Sequence, residues 1–138
     1  MAGMKQVLLM IAAVALVGCA SPTFTSDPSN PQNVIVENAI RKSLKKPTGE
    51  LTKADLKKVQ RLNLYDASLT DEGMVEVAKL TRIKWLNLEN THITDACIDE
   101  LAKMKQLESL SVYQTSISKP GYARLKKALP KCKFRWPY

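Results

Sequence analysis

"RLNLYDASLTDEG" runs from Arg61 to Gly73, and "WLNLENTHITDAC", Trp85 to Cys97, repeats its Leu-Asn-Leu and its Thr-Asp 24 residues later. At that step Val59, Ile83 and Leu107 fall into one column, and Leu62, Leu86 and Leu110 into a second. Leu64, Leu88 and Val112 form another, as do Leu69, Ile93 and Ile117. Met74, Ile98 and Tyr122, then Val77, Leu101 and Leu125, complete the set, and every column is apolar. Leu62 and Leu64 alternate, as a half-buried strand requires. Met74, Val77 and Leu80 then recur at helical spacing, so each copy predicts a strand, a turn and a returning helix. One such unit cannot cover its own apolar face, so successive copies must stack and share a core.

The spacing L-x-x-L-x-L-x-x-(A/T)-x-(L/I) resembles the leucine-rich repeat. "NAIRKSLKKPTGELTKADLKKVQRLNL", Asn38 to Leu64, resembles the helical cap that precedes the repeats of bacterial internalin-like proteins. The resemblance implies an α/β fold: a short leucine-rich-repeat solenoid with parallel strands on the concave side, helices on the convex side and an N-terminal helical cap. It extends over about residues 34 to 136. The competing reading, a generic α/β domain with chance periodicity, would scatter Leu62, Leu86 and Leu110 over unrelated elements.

Finer columns add detail. Thr70, Thr94 and Ser118 stand where the returning helices begin, and their hydroxyls suit N-caps. Asp71 and Asp95 follow in the first turn, where negative charge is favoured. Lys119 and Pro120 break that column and predict a different start for the third helix. The position that holds Asn in this family carries Ala67, Thr91 and Thr115; a threonine hydroxyl can bond the turn backbone and Ala67 cannot. Leu129-x-x-Cys132-x-Phe134 reads as a last L-x-x-L-x-L, reached after 22 residues, with Cys132 in a core position and Trp136 over the end of the stack. In front, Val36, Ala39, Ile40 and Leu44 predict a helix from Val34 to Lys46, stopped by Pro47. Thr52 with Asp55 predicts a second, short one, with Leu51, Leu56 and Val59 as its apolar positions.

The chain before this domain reads differently. Lys5, the apolar run Val7 to Val17 and the string Leu16-Val17-Gly18-Cys19 resemble the signal peptide and lipobox of bacterial lipoproteins. That resemblance implies diacylglyceryl transfer to the Cys19 thiol, cleavage before Cys19 and acylation of the new amino terminus. Acyl chains contribute about 0.8 kcal/mol per buried methylene, enough for firm anchoring. Ala20 in place of Asp implies the outer membrane of the envelope rather than the inner. An ordinary secretory peptide, or a helix that stays uncleaved, is the alternative. The division is therefore a signal peptide at 1–18, a proline-bearing extended tether at 19–33, a helical cap at 34–58, and repeats with a capping strand at 59–138.

Nothing in the sequence assembles a catalytic or metal site. His92 is the single histidine and sits in a polar turn, and no glycine-rich phosphate loop or nucleophile elbow occurs. No cofactor is expected; activity lost on His92→Ala would revive an enzyme. Cys97 and Cys132 are expected as free thiols, because two strand steps alone separate them by about 10 Å against a limit of about 7 Å. Cys132 is expected to be buried and Cys97 partly exposed. Without Lys5 the chain carries 20 Lys and Arg against 13 Asp and Glu. Such a balance suits anionic lipid or glycan, while nucleic acid is no partner for an exported chain. More simply, the lysines solvate helix faces.

Residues between the inward leucines should face the concave surface. They are Arg61, Asn63 and Tyr65, then Trp85, Asn87 and Glu89, then Ser109, Ser111 and Tyr113. Aromatic and Arg side chains dominate energetic hot spots at interfaces. Equally, Trp85 could simply stack on Arg61. The sequence thus points to a lipid-anchored envelope protein that binds a protein or peptide through this face and catalyses nothing. The alternative is a structural component that associates with anionic lipid or glycan through its basic surface.

Overall fold

The computed structural model describes residues 27 to 136. Residues 1–26, including Cys19, the lipobox and most of the tether, lie outside the described residues. Helix α1 (Pro31–Leu44) is followed by α2 (Lys53–Leu56), β1 (Arg61–Asn63), α3 (Asp71–Ala78) and β2 (Trp85–Asn87). A 3-10 turn (Asp95–Cys97) then runs into α4 (Ile98–Lys103), and β3 (Ser109–Ser111), α5 (Lys119–Ala128) and β4 (Lys133–Arg135) complete the order.

The four strands form one parallel sheet in chain order. Leu62 pairs with Leu86, Leu86 with Leu110, and Leu110 with Phe134. The leucine column is therefore a physical line, and the 24-residue step holds to the end. On the other side α1 packs on α3, α3 on α4 and α4 on α5. Between the two layers the apolar columns are buried, apart from the half-buried Tyr122. Leu62, Leu69, Met74, Val77, Leu80, Ile83, Leu86, Leu88, Ile93, Leu101 and Leu110 have no exposed surface. The arrangement is a mixed α/β, leucine-rich-repeat-like fold with a parallel four-stranded sheet.

Helix α1 starts at Pro31, three residues ahead of the expected Val34. Asn30 caps it by accepting from the Gln32 N–H at 2.9 Å, and Pro31 costs nothing in a first turn whose N–H groups have no helical partner. The segment expected as tether therefore already contains helix. The helix also ends early, at Leu44, because Lys45 turns left-handed at φ 54° and closes the C-terminus. Val36 and Ile40 are fully buried, so α1 contributes to the core itself. The short α2 carries the expected capping box: the Asp55 N–H donates to Thr52 Oγ1 at 3.2 Å and the Thr52 N–H to Asp55 Oδ2 at 3.0 Å. The Lys46 ammonium at 2.8 Å, with the Thr52 N–H, holds the Asp55 carboxyl well below the usual carboxylate range.

Three expectations about the C-terminal third are corrected. Phe134, in register with Leu110, fills the column assigned to Cys132. Cys132 thus precedes β4 and is only half-buried. Cys97 is the buried thiol, because it fills the column of Gly73 and Gly121, where a returning helix packs against the coil before it. Burial, and next the Asp71 carboxylate, push its pKa up to about 12, while burial alone takes Cys132 to about 11. Finally, α5 starts in the same column as α3, since Pro120 is acceptable in a first turn and Ser118 still caps by accepting from the Gly121 N–H at 3.1 Å. Trp136 does lie over the end, stacked on Tyr122 with ring centroids 4.8 Å apart.

Candidate functional site

Three rows of side chains cross the outward face of the sheet. The first is Arg61, Trp85, Ser109 and Lys133; the second is Asn63, Asn87, Ser111 and Arg135. Tyr65, Glu89 and Tyr113 follow one turn later. The outward positions arise because their strand neighbours Leu62, Leu86 and Leu110 are drawn wholly into the core.

The turns that hold these rows are alike. Asp66, Asn90 and Gln114 take positive φ of 58°, 55° and 55°, at one position of each copy. Thr91 Oγ1 donates to the Leu88 carbonyl at 2.7 Å and Thr115 Oγ1 to Val112 at 2.8 Å, as their column predicts. The first turn lacks that bond at Ala67 and gains another, from Asn90 Nδ2 to Asp66 Oδ1 at 2.6 Å.

On the helical flank a second system ties each coil to the next. Gln32 Oε1 accepts from the Thr70 N–H at 2.8 Å, and its Nε2 donates to the Ser68 carbonyl at 3.0 Å. Asp71 accepts from the Thr94 N–H at 2.8 Å and the Thr94 hydroxyl at 2.7 Å. Asp95 accepts from the Ser118 N–H at 2.8 Å and from the Ser118 hydroxyl. These aspartates therefore bridge neighbouring coils, a role beyond their favourable charge at a helix start. Thr94 and Ser118 cap their helices as expected, but the Thr70 side chain makes no cap bond.

The nine expected contact residues do not share one role. Asn63 Oδ1 accepts from the Tyr65 N–H at 3.1 Å, and Asn87 Oδ1 from the Glu89 N–H at 3.0 Å. Both asparagines fix the exit of their strands. Glu89 is 7% exposed, held by the Ser111 hydroxyl at 2.7 Å and the Arg135 guanidinium at 3.1 Å. It is a strut, not a free contact group. The exposed side chains are Arg61, Asn63, Tyr65 and Tyr113, with Tyr65 56% and Tyr113 37% exposed. Trp85 is half-buried, with the Arg61 guanidinium carbon 5.1 Å above its ring, and Ser109 is half-buried beside it. Arg135 lies 5.7 Å over the Tyr113 ring.

Sequence reasoning missed Lys133 and Arg135, which the 24-residue register places on the same face. Carrying that step unchanged past Leu110 would have found them. It also missed Lys42 and Ser43 of α1. With Ala39, Arg61, Asn63 and Trp85 they line a groove of about 310 Å³ between the helix and the first two strands. His92 is exposed in its turn. Among the described residues no three His, Cys, Asp or Glu side chains converge to hold a metal. None of the helices described there is long and apolar enough to cross a membrane.

No protein-family model and no curated protein matches the sequence. Solved structures with a similar fold include the Mex67:Mtr2 subunits of Chaetomium, at 14% identity and a TM-score of 0.55 over 80% of this chain and 73% of that one. An internalin of Listeria monocytogenes aligns at 18% identity with a TM-score of 0.48, over 80% of this chain and 40% of the internalin.

Proposed function

We propose that the chain is a lipid-anchored envelope protein whose repeats build a leucine-rich-repeat solenoid and whose concave sheet face binds a protein or peptide partner without catalysis. One observation carries the reading. Tyr65 and Tyr113 stand exposed on the same face as an Arg-stacked Trp85. Large, stiff aromatic groups and arginine give contact area at low entropic cost, which is the composition of interface hot spots. The leucine-rich-repeat build and the resemblance of the first residues to a lipobox support the rest.

A photo-crosslinking residue at Tyr113 tests the face, with one at the exposed Glu72 of α3 as control. Adducts are expected from position 113 alone, in the envelope of cells making the full chain. Equal adducts from both positions would refute a specific surface. Anchoring is tested separately: Cys19→Ser should move the protein from the membrane to the soluble fraction.

A second reading has its own support in the excess of basic residues and a sequence pI of about 9.5. In it, the protein is a structural component held to anionic lipid or glycan. Association of that kind fades steeply between roughly 0.05 and 0.5 M salt and ignores Trp85→Ala. Contact through the aromatic face would fail with Trp85→Ala and depend less on salt.

A further inference from the structure

We propose that the groove between α1 and the first two strands receives a carboxylate, so that the partner bound by the concave face presents an acidic segment there. The proposal rests on the concave-face reading and names the chemistry of its ligand.

Lys42 and Arg61 both line this groove, and neither makes an ion pair among the described residues. No Asp or Glu lines the groove, and three acids of the neighbouring segments are paired with other cations. Glu37 pairs with Arg41 at 2.7 Å, Glu108 with Lys84 at 2.8 Å, and Glu89 with Arg135 at 3.1 Å. An entering carboxylate therefore meets two cations and no unpaired acid. The walls are fixed as well. The Ser43 hydroxyl of α1 donates to the Arg61 carbonyl at 2.7 Å, which ties helix to strand on either side of the opening. Trp85 holds the Arg61 guanidinium from below, so less freedom is lost when the planar fork meets a carboxylate. A volume of about 310 Å³ suits a side chain with its backbone and is at the small end for an organic ligand. The ring and the Asn63 amide give the neighbouring residues an apolar and a polar contact, which a bare phosphate headgroup would leave unused.

The test uses the full chain in neutral detergent and a fluorescein-labelled peptide of alternating Glu and Phe, read by anisotropy. The same peptide with Gln for Glu should bind at least about tenfold more weakly. Arg61→Ala and Lys42→Ala should each weaken the Glu peptide by about tenfold, and Arg61→Lys by less, because a point charge replaces the fork. Lys126→Ala, on the exposed side of α5, should change nothing. Equal binding of the two peptides overturns the proposal. So does binding to phosphatidylglycerol vesicles that is lost in the same variants while the Glu peptide fails to bind. If the peptide fails but position 113 still crosslinks, the carboxylate site falls and the concave surface stands. Arg61-dependent peptide binding without crosslinks supports the groove and removes the wider surface.

Discussion

The two ends of the repeat stack are closed by different means. At the front, α1 inserts Val36 and Ile40 into the core with no exposed surface, and Gln32 bonds the next coil in place of the absent aspartate. At the back, Tyr122, Phe134 and Trp136 form a half-buried aromatic lid, edge to face at 5.6 Å and stacked at 4.8 Å. The front end is thus continuous with the interior, whereas the back end rests upon it. A stack whose coils support only their neighbours should then open from the back.

Substitution of the two closures breaks or sharpens that contrast most strongly. Ile40→Ala should cost about 3 kcal/mol in denaturant unfolding, as for other fully buried aliphatic side chains. Trp136→Ala, which removes a stacked pair at a wet end, should cost about 1.5 kcal/mol. Equal losses would make the ends equivalent.

The glycines at the two outer joints give a smaller test. A methyl group at Gly73 would overlap Leu69 and stand 2.9 Å from Gln32 Oε1, both in buried surroundings. At Gly121 it would meet only the Asp95 carboxylate, which is half-exposed and can shift toward solvent by loosening its bonds to Ser118. Thermal melts should show Gly73→Ala losing about 2 kcal/mol and Gly121→Ala about 1 kcal/mol.

Acid comes next. The Lys46 ammonium lowers the Asp55 pKa at the front, and the hydroxyl and N–H of Ser118 lower that of Asp95 at the back. A carboxylate depressed in the folded state is protonated first in the unfolded chain. The stability it contributes is therefore complete above about pH 4 and is lost as pH falls through the folded value. Asp55→Asn should flatten the fall below pH 4 more than Asp95→Asn, because the Asp55 shift is the larger; the reverse ranking would place the acid-sensitive joint at the back.

Thiol labelling is the mildest probe. At pH 8 Cys97 and Cys132 are both neutral, yet Cys132 is half-exposed near the back and Cys97 is buried mid-stack. Alkylation mapped by mass should reach Cys132 first and Cys97 only on unfolding. Matching rates would mean that the middle opens as readily as the end.

The comparison also shows where local pattern suffices. Within a repeat the inward columns were legible because a residue's burial follows from its parity on a strand and its phase on a helix, as at Leu62 and Met74. The capping box at Thr52 and the turn hydroxyls of Thr91 and Thr115 were legible for the same reason, since each bond spans three residues. Relations between coils were not. Asp71 looks like an ordinary first-turn acid until Thr94 is brought to it from 23 residues away. Likeness of residue type puts Cys132 in the leucine column, whereas pairing with β3 puts Phe134 there.

By itself, then, the sequence determined the alternation of strands and helices, the identity of the core and the outward position of Arg61, Tyr65, Trp85 and Tyr113. Only the tertiary structure decided that Glu89 is spent on Arg135 and Ser111, that Cys97 is inside, and that α1 forms a groove with Arg61. The physical reason is range. Periodicity is a property of one segment and its single apolar side, while charge pairing and cavity shape depend on which other segment comes to lie opposite.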